Sequence, residues 1–87
     1  MASYSVRIKT SAAKELEAVE PRGMRVRIVA RVQSLARVPR PAGSQKLAGD
    51  DERYRIRQGA YRIVYAVDDE QYIVEVVKIG HRREVYR

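Results

Sequence analysis

RYRIRQGAYRIVYAVDDEQYIVEVVKIG, residues 53–80, is the stretch on which the fold turns. Its apolar residues recur every second position, the period of a half-buried strand rather than of a helix. Arg53, Arg55 and Arg57 alternate with Tyr54 and Ile56, so a strand here sets three guanidinium groups on one face and the apolar pair on the other. Gln58, Gly59 and Ala60 make a short turn with a glycine free to take positive φ. The run from Tyr61 follows, with Tyr61, Ile63, Tyr65 and Val67 on one face and Arg62, Val64 and Ala66 on the other. Asp68, Asp69, Glu70 and Gln71 read as the next turn, and Tyr72 to Ile79 as a third strand that Gly80 ends. Three strands joined by tight turns form an antiparallel meander.

Upstream the period changes. Tyr4, Val6 and Ile8 alternate with Ser5, Arg7 and Lys9, which predicts a first strand. Thr10 and Ser11 offer N-cap oxygens to a helix over residues 12–20, with Ala12, Leu16 and Val19 on one face and Pro21 and Gly23 as its end. A longer helix is expected over residues 22–38, where Ile28, Val32 and Leu35 repeat at helical spacing. Its other face carries Arg25, Arg27 and Arg31, and no acid lies among them to form intrahelical ion pairs. Pro39, Pro41 and Gly43 break the pattern, and the segment to Asp51 reads as an irregular loop. The expected fold class is therefore α+β: an N-terminal strand, an αα-hairpin, then a three-strand meander in one sheet covered on one face by the helices. The whole chain, residues 1–87, fits a single domain.

Composition narrows the partners. The formal net charge is +7, and 18 basic residues stand against 11 acidic ones. Arginine supplies 14 of the 18, and its planar donor fork matches phosphate in two-pronged fashion. Such an excess on so short a chain points to a polyanion, either nucleic acid or an acidic protein segment. With no cysteine and one histidine, neither disulfides nor a protein-built zinc site is expected. The acids cluster in turns and on the first helix, so no metal and no cofactor is assigned. The longest apolar run, Ile63 to Val67, is five residues. A membrane span needs roughly 20, so no membrane partner is assigned and a cytoplasmic chain is expected.

No phosphate-binding glycine loop, nucleophile elbow or zinc-protease motif occurs. What stands out is arginine and tyrosine together. Guanidinium groups hold phosphates, and tyrosine rings stack on unpaired bases, so the pattern suits single-stranded RNA. Tyr54, Tyr61, Tyr65 and Tyr72 are equally the strand-formers needed by a core without Phe or Trp, and a core role is expected for them. Tyr86 sits in a charged tail where packing has little claim on it. Arg62 is the one charge inside an apolar strand; either Glu75 pairs with it across the meander or an anion does.

Four motifs carry a wider resemblance: SAAKELEAV at 11–19, QKLAG at 45–49, YRIRQGAYRIVYAVDDE at 54–70 and IGHRREVYR at 79–87. Together they resemble the RelE branch of the RelE/ParE toxin superfamily over nearly the whole chain. The resemblance implies an RNase-like fold and a toxin of a type II toxin–antitoxin system that cuts mRNA in the ribosomal A site, held inactive by a cognate antitoxin in a hetero-oligomer. The implied chemistry is metal-independent attack of a ribose 2′-OH on the adjacent phosphate. Carried over by position, the family's catalytic residues fall on Arg62, Arg82 and Tyr86, and its basic strand residues on Arg55 and Arg57. Arg53 and Arg83 join the implied phosphate-binding set. Some relatives carry Lys where this chain has Arg55 and Arg57, and only Lys can serve there as a base, since arginine stays protonated to pH values above about 12. The proton acceptor is then sought in His81, a residue type that titrates near neutrality, in Tyr86, or in the ribosome. The alternatives are a ParE-like inhibitor of DNA gyrase and an inactive antitoxin-binding module.

Overall fold

The computed structural model describes residues 3–49 and 52–81. Strand β1 (Ser5–Ile8) is followed by helices α1 (Thr10–Glu17) and α2 (Arg22–Ser34), then by strands β2 (Gln45–Lys46), β3 (Arg53–Gln58), β4 (Tyr61–Asp68) and β5 (Ile73–His81). The expected α+β class and its order of elements are both present. The strands form one five-stranded sheet in the order β1-β5-β4-β3-β2. Neighbours β2, β3, β4 and β5 run antiparallel, whereas β1 joins β5 in parallel with Ser5 opposite Ile73 and Ile8 opposite Val76.

The core lies between the helices and one sheet face. Ala12, Val19, Ile28, Val32 and Leu35 come from the helical layer and meet Tyr54, Ile56, Ile63, Tyr65, Val67, Val74, Val76 and Ile79. Each fully buried aliphatic side chain contributes about 1.5 to 3 kcal/mol relative to exposure, which explains why the alternation in β3 and β4 fixes which side faces the helices. Tyr54 and Tyr65 are buried as expected and their rings stack at 5.9 Å. Tyr61 packs at the margin. Tyr72 departs from expectation: it takes φ +56° in the β4–β5 turn and is 48% exposed, its ring edge-on to Tyr4.

Several boundaries move. Helix α1 begins at Thr10 itself, with Lys9 as N-cap and no side-chain cap. The Lys9 amide is still bonded to the Val76 carbonyl at 2.9 Å, so the chain passes from the sheet into the helix without a free capping residue. Pro21 and Gly23 do not end α1, which stops at Glu17; Pro21 is the N-cap of α2, where its missing N–H is not needed. Gly23 lies inside α2. Helix α2 ends at Ser34, whose hydroxyl donates to the Arg31 carbonyl at 2.6 Å, and tighter turns carry the chain on to Val38. Within the loop expected to be irregular, β2 pairs with β3, Gln45 opposite Arg55 and Lys46 opposite Tyr54. Gly80 does not end β5, which continues to His81.

Candidate functional site

The face of the sheet turned away from the helices carries the charge. Because Tyr54, Ile56, Ile63 and Tyr65 point into the core, their neighbours Arg53, Arg55, Arg57, Arg62 and Val64 point the other way. The register then sets them in rows. Arg57 stands opposite Arg62, and Arg62 opposite Gly80. Arg55 stands opposite Val64, and Val64 opposite Lys78. A bulge between Val64 and Tyr65 shifts the pairing so that Tyr65 meets Val76, which leaves Val77 as the extra residue of β5.

Two concavities open on this charged surface. One, of about 400 Å³, is lined by Arg31, Gly43, Gln45, Arg55, Arg57 and Arg62. None of these six is acidic. The second, of about 350 Å³, is lined by Lys9, Leu47, Arg53, Arg55, Val64, Val77 and Lys78. Arg55 belongs to both, and its guanidinium donates to the Gln45 side-chain oxygen across the β2–β3 pair. Among the described residues Arg62, 6% exposed, is the one buried charged residue, and it still reaches the lining of the first concavity. Glu75, its suggested salt-bridge partner, is instead opposite Ala66, four residues along β4.

The structure therefore brings Arg55, Arg57 and Arg62 together and places Arg53 in the adjoining hollow. His81 is held apart. It is opposite Tyr61, so it turns toward the helical side, where its ring meets Tyr61 edge-on at 5.8 Å and lines a separate hollow with Glu15 and Ile79. Glu15 is occupied there, accepting from the Ile79 amide at 2.9 Å and from Lys78 Nζ at 3.1 Å. Arg82, Arg83 and Tyr86 lie outside the described residues. Sequence reading missed Arg31 and Gln45 as parts of the concavity; the acid-free face of α2 was the available signal for Arg31.

Asp69 and Glu52, at the other end of the sheet, are held in a cluster of their own. Arg40 grips Asp69 with both terminal nitrogens, at 3.1 and 2.7 Å, and donates through Nε to the Tyr54 hydroxyl at 2.8 Å. That hydroxyl in turn donates to Glu52 at 2.9 Å, and the Tyr4 hydroxyl donates to Asp69 at 2.6 Å. The Arg40 hydrogen bonds, reinforced by Tyr4, hold the Asp69 carboxyl below its ordinary range. Tyr54 and Lys46 do the same for Glu52. Arg40 is itself pushed further toward its charged form, first by Asp69 and then by Tyr54. This cluster ties the 39–41 segment to the sheet at the end away from Arg62.

A small α+β domain with a helix-covered sheet face and an arginine-lined hollow defines a compact basic protein suited to an anionic partner. Comparison with known proteins specifies it further. The family model for the ParE toxin of the type II toxin–antitoxin system parDE matches residues 6–86. Toxin RelG of Mycobacterium tuberculosis (strain ATCC 25618 / H37Rv) is 32% identical over 87 residues, 97% of each chain. The RelBE2 toxin–antitoxin complex of M. tuberculosis contains a chain that superposes with a TM-score of 0.80 at 28% identity, covering 93% of this chain and 100% of that one. The isolated RelE toxin of E. coli gives 0.78 at 30% identity, covering 97% and 92%. The chain belongs to the RelE/ParE superfamily of type II toxins.

Proposed function

We propose that this toxin is a ribosome-dependent, metal-independent mRNA endoribonuclease acting in the cytoplasm. The observation that carries the reading is the convergence of Arg55, Arg57 and Arg62 on one concavity. In the reaction, the ribose 2′-oxygen bonds to the adjacent phosphorus and the bond from phosphorus to the 5′-oxygen breaks. The 2′-hydroxyl gives up its proton and the departing 5′-oxygen takes one. Negative charge builds on the phosphoryl oxygens between these events, and fixed guanidinium groups aimed at it lower the barrier. Arg62, held in place by burial within β4, faces that charge, and Arg82 is assigned the same role. Arg55, Arg57, Arg53 and Arg83 hold the flanking backbone.

Arginine does not accept the 2′-hydroxyl proton at neutral pH, and His81 faces the other side of the sheet. Tyr86 or a ribosomal group therefore completes the proton transfer, and the ribosome also sets the in-line geometry that charge alone does not impose. The partner in the resting state is a cognate antitoxin, as in the RelBE2 complex, with acidic and apolar segments suited to a basic toxin.

The test is translation of a defined mRNA on purified ribosomes followed by mapping of the cut ends. Arg62→Ala is expected to slow cleavage by about 100-fold or more, the scale of losing one donor to a developing oxyanion. Tyr86→Phe is expected to be similarly impaired where Tyr86 moves the proton and near wild type where the ribosome does. The family model's ParE name supports a second reading, inhibition of DNA gyrase. Intact mRNA together with blocked supercoiling establishes that reading instead.

A further inference from the structure

Arg31 is the member of the concavity that comes from the helical layer. It lies near the end of α2, half-buried, and lines the same hollow as Arg55, Arg57 and Arg62. Four guanidinium groups thus share one hollow of about 400 Å³. Helix α2 contains Arg22, Arg25, Arg27 and Arg31 but no Asp or Glu, so its own sequence offers Arg31 no i,i+4 partner. Across the hollow, its polar neighbour Gln45 is engaged by Arg55. Arg31 serves neither the core nor an intrahelical ion pair, and its guanidinium fork in a hollow shared with three other arginines matches a phosphate.

We propose that Arg31 binds the RNA backbone at a phosphate next to the scissile one, acting on substrate affinity rather than on the chemical step. This rests on the reading of the hollow as an RNA site. The division of labour follows from placement. Arg62 is buried in the sheet and fixed, as a group facing developing charge must be. Arg31 reaches the hollow from a helix, beside Gly43, and holds RNA backbone next to the β3 arginines.

The experiment compares wild type with Arg31→Gln, Arg31→Lys and Arg27→Gln. Arg27 is exposed on the same helix and serves as a charge control. Binding of a short unstructured RNA, made uncleavable by a 2′-deoxy nucleotide, is followed by fluorescence anisotropy at several salt concentrations. Arg31→Gln is expected to weaken binding about tenfold, as loss of a charge-assisted hydrogen bond does. It should also flatten the dependence of log affinity on log salt by about 0.7, the value for one phosphate contact on a single strand. Arg31→Lys should restore most of the slope, and Arg27→Gln should leave it unchanged. On saturating programmed ribosomes the Arg31→Gln cleavage rate should stay within about twofold of wild type, with circular dichroism and thermal unfolding reporting the fold.

Unchanged affinity and slope in Arg31→Gln would overturn the proposal, as would a slope lowered equally by Arg27→Gln. So would a fall in the saturated rate with affinity intact, or a wild type that does not bind the RNA at low salt. Should Arg31→Gln fail to fold, Arg31→Lys carries the test: an affinity and slope unlike wild type in that charged variant overturn the assignment. RNA binding through Arg31 by a protein that leaves mRNA uncut on ribosomes sustains the proposal while removing the nuclease reading.

Discussion

At the scale of single residues, tyrosine does two jobs in this chain. The Tyr65 ring fills the centre of the core and its hydroxyl donates to the Pro39 carbonyl at 2.7 Å, while burial pushes that hydroxyl to a higher pKa. Tyr65→Phe keeps the packing and strands the carbonyl, so chemical denaturation should show a loss of about 1 to 2 kcal/mol. Asp69 behaves differently because it is solvent-facing and acts through Arg40. Its folded pKa is depressed, so its contribution is complete above the ordinary carboxylate range near about 4 and is lost as pH falls through the lower folded value. Glu52 shares that sign. Thermal midpoints should therefore drop in acid below about pH 4, and Asp69→Asn should make that drop shallower while lowering the midpoint at neutral pH. A variant whose acid profile matches wild type would show that the Arg40 cluster does not stabilise the fold.

Among elements, the two-residue turn between β3 and β4 has the most exacting requirement. Gly59 takes φ +61°, and a Cβ there would come within 2.6 Å of the Met24 Cε on α2. Gly59→Ala should cost about 1 to 2 kcal/mol from backbone conformation, with Met24 swinging aside; a midpoint equal to wild type would refute this. The turn was readable in advance because glycine between two alternating runs has few other uses. So were the meander and the face on which Arg55, Arg57 and Arg62 meet, since period-2 alternation determines which side chains share a side. What escaped reading depends on contacts between distant segments. Two residues of β2 carry no periodicity, and the parallel docking of β1 on β5 leaves no local mark. The start of α1 is set by a Lys9 hydrogen bond to β5 rather than by a capping side chain. The two sides of β5 were likewise hidden, because the bulge at Val77 alters the register before His81 is reached. Arg31 appeared as a charge on a helix without acids, and only tertiary structure put it in the hollow with the β3 arginines.

For the whole molecule, charge sets the terms of encounter. A net charge of +7 on 87 residues speeds approach to a polyanion and makes that approach sensitive to salt. In the proposed reaction the ribosome, and not the arginine hollow, aligns the 2′-hydroxyl. Naked mRNA should accordingly be cut at least about 100-fold more slowly than ribosome-bound mRNA, since alignment alone contributes several powers of ten; equal rates on the two substrates would refute ribosome dependence. The outer strands of the sheet bear on a different matter. One edge is β2, only two residues long, and the other is β1, four residues long with Arg7 and Lys9 in or beside it. Short, cationic margins give another copy little backbone to zip onto and repel it as it comes near. Edges of this kind disfavour the stacking of free copies into fibrils.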